Sequence, residues 1–192
     1  TSYVRQGERL ESSGNDVANT AVAVQALLHA GHTPLKGEYR AAAQRGVEFL
    51  LRNVEASPAE GLAVTDITGT QIQRKLGPYI DTFLTSMVLA ELDGNMGDAH
   101  SNDRVRRALQ KCVGKIERNQ QKDGSWNISG GWAPILGTSL ASRSLYVARQ
   151  KGVPVNQAVA SKVDDYTKRT AVAGGGPAAQ GGYAADASSA GV

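Results

Sequence analysis

A few polar side chains in apolar surroundings are the residues best placed to bind a ligand or to react in this 192-residue chain. Arg143 is the only charge in a long apolar stretch, and a guanidinium buried without a partner would cost several kcal/mol. We therefore expect it to face an internal cavity, where it could hold an anionic group such as a diphosphate, or to pair with an acid such as Asp81. Thr82, and Asp66 in a polar loop, are the other ligand candidates. Asp81, like Asp16, also suits a structural role, because carboxylates cap free N–H groups at helix starts.

A complete catalytic or metal-binding motif is missing from the sequence. The single cysteine, Cys112, excludes an internal disulfide and a cysteine-based metal cluster. The three histidines are scattered along the chain, at His29, His32 and His100. There is no Ser-His-Asp order, P-loop or dinucleotide fingerprint. We predict no metal and no cofactor, and the sequence assigns no catalytic residue.

Charge and hydropathy exclude two classes of partner. The chain has 21 Lys and Arg against 18 Asp and Glu, a net charge of +3, and the charges are interspersed, so nothing favours nucleic acid. No apolar run approaches the roughly 18 to 20 residues of a membrane-spanning helix. We predict neither nucleic-acid binding nor a membrane span, and the sequence leaves the compartment open.

Two kinds of helix that would position these residues alternate along the chain. Stretches at about 16 to 30, 78 to 92 and 134 to 150 are nearly uncharged and apolar all round, which is typical of buried helices. Stretches at about 38 to 55, 103 to 120 and 155 to 170 carry one apolar stripe each, which is typical of surface helices. In the middle one, Cys112 lies on the apolar stripe, while Lys111, Lys115 and Arg118 should face solvent.

The three apolar stretches can be aligned with one another. Thr20, Thr82 and Thr138 occupy matching positions, and a glycine follows each stretch, at Gly31, Gly94 and Gly152, where helices commonly end. A period of about 60 residues with two helices is a repeat of αα-hairpins. Because the inner helices are apolar all round, the pattern favours an all-α closed double ring over an open superhelix, in which both helices of a pair usually keep an amphipathic face.

A polar turn at Asn119 to Thr138 joins the second hairpin to the third. It carries Gln120, then Asp123-Gly124-Ser125-Trp126, and a second tryptophan, Trp132. Asp-Gly is a turn former, since glycine accepts positive φ. Each indole buries on the order of 200 Å², so we expect both tryptophans to pack between neighbouring helices.

The run from Gln120 to Trp126 resembles the QW motif, Q-x-x-D-G-S-W, of the squalene-hopene cyclase and protein prenyltransferase β-subunit families. The resemblance implies an α/α toroid, in which the glutamine bonds the turn at the start of the next helix and the tryptophan stacks on it. Toroids of this kind have about six hairpins, so the three hairpins here would form half of a ring. Neither the Asp-x-Asp-Asp acid of class II terpene cyclases nor the zinc ligands of the prenyltransferases are matched.

Two functions follow from this resemblance. The chain is either a toroid scaffold or binding module, or part of an isoprenoid cyclase-like enzyme whose acid motif lies elsewhere. An isoprenoid or other apolar molecule is the ligand that the resemblance suggests. We expect a continuation polypeptide or a symmetric copy to complete the ring, because the first and last inner helices would each lack a neighbour.

Residues 1–192 are treated as one toroid domain or half-domain. Residues 171–192 form a Gly/Ala-rich connector in which Gln180-Gly181-Gly182-Tyr183 looks like a degenerate copy of the turn. We expect this connector to lead into a further repeat and to lie near the seam with the partner, although a flexible tail on a finished domain is an alternative.

Overall fold

The computed structural model describes residues 2–6, 9–128 and 134–174, with side chains for residues 14–128 and 136–171. Trp132 and nearly all of the predicted connector at 171–192 lie outside the described residues. Within the described residues the fold is helical, as the sequence predicts, with one short β-hairpin that it does not predict.

The β-hairpin opens the chain and precedes seven helices. Strands β1 (Ser2–Gln6) and β2 (Arg9–Gly14) pair antiparallel, with Val4 opposite Glu11. The helices are α1 (Val17–His29), α2 (Arg40–Ala56), α3 (Gln71–Leu76), α4 (Ile80–Leu92), α5 (Ala99–Arg118), α6 (Pro134–Gln150) and α7 (Gln157–Gly174). All six predicted helices are present within a few residues of their expected limits, and the short α3 is an addition.

Helix α4 is the centre of the molecule. It packs between α1 and α6, and every residue of α4 except Glu91 is buried. The helices on either side are buried on one flank only: Val22 of α1 is 46% exposed, and Leu136 and Tyr146 of α6 are 47% and 63% exposed. The row of inner helices therefore has a fully covered middle and two outer flanks that expose apolar side chains.

Helices α2 and α5 form a second layer over this row. Helix α2 packs on α1, and α5 packs on α4. Arg104 of α5 joins the two outer helices through Glu48 and Glu55 of α2, with closest N···O distances of 2.6 Å to each. Cys112 is buried in the core as predicted, and this burial raises the pKa of its thiol to about 12.

The predicted helix ends match the structure. Asp16 caps α1 by accepting a hydrogen bond from Asn19 N at 2.7 Å, and Gly31, Gly94 and Gly152 follow α1, α4 and α6 with positive φ. In the part of the chain that the structure describes, no helix is both long and apolar enough to cross a membrane.

Candidate functional site

The segment that follows α2, residues 57–66, carries one of the candidate residues, Asp66, and is called the strap below. Helix α2 stops before Pro58 because the residue preceding a proline is pushed out of the helical region, and Ser57 is extended with ψ of 145°. Gly61 turns the chain with a φ of 73°. The strap thus leaves the helix as irregular backbone whose polar groups need partners elsewhere.

Side chains of α5 and α4 supply partners for carbonyl oxygens at the end of α2 and along the strap. The bonds run from Lys111 Nζ to Glu55 O and Ser57 O, from Arg118 Nη2 to Ala59 O, from Lys115 Nζ to Glu60 O, Gly61 O and Ala63 O, and from Thr82 Oγ1 to Leu62 O. The distances lie between 2.6 Å and 3.3 Å. The basic face of α5 therefore holds the strap in place.

The prediction that Lys115 faces solvent is wrong. Its side chain is 0% exposed, and its ammonium group meets three backbone carbonyl oxygens at 3.0 to 3.3 Å. No carboxylate of the described residues forms an ion pair with it. Burial is the main cause of a lowered Lys115 pKa.

Replacing Lys115 by methionine is expected to lower the free energy of unfolding by about 1 to 3 kcal/mol near neutral pH, because the strap carbonyls lose their donor. The loss should grow with pH. Since the Lys115 pKa is lower in the folded chain, the unfolded chain binds more protons between that value and 10.5, so this group adds stability to the wild type as pH rises there. Urea unfolding at about pH 7 and about pH 10 measures both effects.

Lys122→Met is the matched control, since Lys122 is exposed in the turn that follows α5. Its unfolding free energy should follow the wild type at both pH values. Parallel pH dependence of wild type and Lys115→Met would contradict the role assigned to the buried ammonium group.

A cavity of about 420 Å³ lies against the strap. Its wall consists of strap residues together with Asn53 and Ala56 of α2 and Tyr79. Asp66 and Glu60 line it as exposed side chains. Of the sequence candidates, Asp66 is thus the one that borders this cavity.

Asp81 and Thr82 lie at the start of α4, and their side chains form hydrogen bonds to neighbouring elements. The Asp81 carboxylate accepts hydrogen bonds from Ala18 N at 3.0 Å and from Gln73 Nε2 at 2.8 Å, so it caps α1, a neighbouring helix. Burial raises the pKa of Asp81. Thr82 donates to the strap at Leu62 O. These two residues hold elements together.

Arg143 lies on the exposed flank of α6. It lines an open groove of about 440 Å³ between α6 and α7, together with Ser139, Ser142, Tyr146, Tyr166 and further residues of both helices. The described residues contain no ion pair between Arg143 and Asp81, whose carboxylate is used as above. Among the described residues that line this groove there is no acid, and Arg143 is the one that carries a charge.

The turn between α5 and α6 anchors three helices. Gln120 Nε2 donates to Gly124 O and to Val159 O of α7, and Asp123 Oδ1 accepts from Ser125 N and Ser125 Oγ. Trp126 is 3% exposed. Its indole N–H donates to Ile116 O of α5 at 2.7 Å, and its backbone N–H donates to Thr138 Oγ1 of α6 at 3.2 Å. Gln120, Asp123, Gly124 and Trp126 therefore have a structural role, because their contacts hold α5, α6 and α7 together.

The described residues contain no group of three or more His, Cys, Asp or Glu side chains that could hold a metal ion. Comparisons of the chain with family models, with curated proteins and with solved structures found no match. Among the described residues, the strap cavity and the groove beside Arg143 contain sequence candidates, and the two outer flanks of the row of inner helices expose apolar side chains.

Proposed function

We propose that this chain is an α/α-toroid type of scaffold or binding module whose two outer flanks, on α1 and α6, associate with further helical hairpins. The observation that carries the proposal is the contrast between α4 and its neighbours. Helix α4 is covered on both sides, whereas Val22 of α1 and Leu136 and Tyr146 of α6 remain about half exposed. The resemblance of the turn at Gln120 to Trp126 to the QW motif supports the same function.

The apolar flanks favour association on energetic grounds. Burial of apolar surface contributes about 25 cal/mol per Å², and large exposed apolar patches normally mark interfaces. The inner helices align at Thr20, Thr82 and Thr138, so equivalent sides of the three helices can be compared. The exposed flank of α1 is equivalent to the side of α4 that packs against α1. The flank of α6 corresponds to the opposite side of α4. A second copy can therefore place its α1 beside α6 in the way that α6 lies beside α4.

Such a contact joins two different surfaces, and contacts of this kind build rings or filaments. We expect sedimentation velocity at micromolar concentration to show assembly of the wild-type chain. Val22→Asp on α1 and Tyr146→Asp on α6 should each abolish assembly and leave a monomer, because every contact needs both flanks and a buried unpaired carboxylate is costly. Tyr39→Ser, which changes an exposed aromatic residue away from both flanks, is the control and should assemble as the wild type does.

Mixing the two aspartate variants sharpens the test. Val22→Asp retains the α6 flank and Tyr146→Asp retains the α1 flank, so the mixture should form a dimer with one copy of each. A wild-type chain that stays monomeric over the whole concentration range would contradict the proposal.

A further inference from the structure

The strap presents a row of backbone N–H groups that have no acceptor in the part of the chain that the structure describes. In a planar trans peptide the C=O and the N–H of one unit point in opposite directions. The carbonyl oxygens of residues 59 to 63 bond to side chains of α5 and α4. The N–H groups of residues 60 to 64 therefore point away from those side chains, and none of them donates to an acceptor among the described residues.

The strap cavity borders the same residues. Glu60, Gly61, Leu62, Ala63 and Val64 all line it. The three basic side chains that hold the strap, from Lys111, Lys115 and Arg118, are not part of its wall. The cavity thus lies against the strap without contacting the cations that fix the carbonyl groups.

The electrostatics of the strap favour an acceptor on the N–H side. The negative ends of these peptide dipoles lie on donor side chains of α5 and α4, so their positive ends point away from those side chains. Backbone concavities lined by successive N–H groups bind anions. The Lys115 charge is buried and has no carboxylate partner among the described residues. The opposing charges of Glu60 and Asp66 are exposed, and solvent and salt screen exposed charges more strongly than buried ones.

We propose that the strap cavity binds the oxyanion of a small ligand, a carboxylate or a phosphate group, through the backbone N–H groups of residues 60 to 64. A volume of about 420 Å³ lies in the usual range of small-molecule sites. Hydrogen bonds from N–H groups to an ionised oxygen are stronger than those to a neutral one. The site does not depend on association through α1 and α6.

Titration of the ¹⁵N-labelled chain with inorganic phosphate, followed through backbone amide resonances, tests the proposal. The amides of residues 60 to 64 should shift in a saturable manner, while sodium chloride at matched ionic strength should leave them in place. A parallel titration with acetate distinguishes a carboxylate ligand from a phosphate ligand. Shifts with both anions indicate a general oxyanion site, and shifts with phosphate alone indicate a site for phosphate esters. No saturable shift with either anion would overturn the proposal.

Two exposed alanines of the strap provide a matched pair of variants. Ala63 lines the cavity and Ala59 does not, although both carbonyl oxygens are held by α5. Ala63→Phe should weaken phosphate binding by about tenfold or more, because the larger side chain occupies space in the cavity, and Ala59→Phe should leave it unchanged. Equal weakening by both would contradict the site.

A second variant should strengthen phosphate binding, and it alters only exposed side chains. The double variant Glu60→Gln and Asp66→Asn removes two like charges from the cavity wall, so phosphate should bind about threefold more tightly at low salt. Unchanged or weaker binding in this variant would count against an oxyanion site.

Discussion

Replacement of Trp126 by alanine is expected to lower the free energy of unfolding by about 3 to 5 kcal/mol, the usual cost of removing a large buried aromatic side chain. The indole is 3% exposed and lies in the core, so its removal leaves a cavity. It also removes the hydrogen bond to Ile116 O at the end of α5. Urea and thermal unfolding of the two chains measure the difference.

Trp126→Phe separates the two contributions. Phenylalanine keeps most of the apolar volume but lacks the indole N–H, so the loss should be smaller, about 1 to 2 kcal/mol. If Trp126→Ala left the melting temperature nearly unchanged, the tryptophan would not be the anchor of the turn.

Gly124→Ala is expected to destabilise the chain by about 3 kcal/mol or more and to displace α7 from the turn. Gly124 has a φ of 95°, a conformation that is strained for residues with a Cβ atom. A Cβ atom there would lie 2.2 Å from the carbonyl oxygen of Lys162 in α7. Because the backbone fixes the position of the Cβ atom and the Lys162 oxygen is itself a backbone atom, no side-chain rotation can relieve the contact. Chemical unfolding measures the loss.

Gly94→Ala is the control for the backbone conformation alone. Gly94 also has a positive φ, 81°, but nothing lies within 4 Å of its added Cβ atom. This variant should lose only about 1 to 2 kcal/mol. Equal losses at both glycines would show that the close approach of α7 contributes nothing.

The features that local sequence determines could be predicted. Apolar stripes predict which faces of α2 and α5 are buried, and the inward positions Val105, Leu109, Cys112 and Ile116 are all 0% exposed. Helix ends follow from residue type, because Asp16 and the glycines after the inner helices act through their own backbone or that of near neighbours. The burial of Trp126 follows from its size in a short polar turn.

The features that depend on distant neighbours could not be predicted. Asp81 caps a helix 63 residues away, and residues near it in sequence give no sign of this. Lys115 has the charge of a surface residue, and its one local signal is that Cys112, three residues earlier and so a neighbour on the helix surface, lies on the apolar stripe of α5. Arg143 is exposed because α6 ends the described row of inner helices, so its apolar surroundings in sequence do not imply burial.

The strap and the turn after α5 also bear on the order in which the chain acquires structure during synthesis. The side chains of α5 that bind carbonyl groups of residues 59 to 63 come 52 to 59 residues later in the chain. The partners of Gln120 and Asp123 on α7 come 39 and 46 residues later. Since the ribosome releases the N-terminal part first, each connection emerges before the helix that fixes it. The strap and the turn can therefore adopt their native structure only after about one further hairpin has been synthesised.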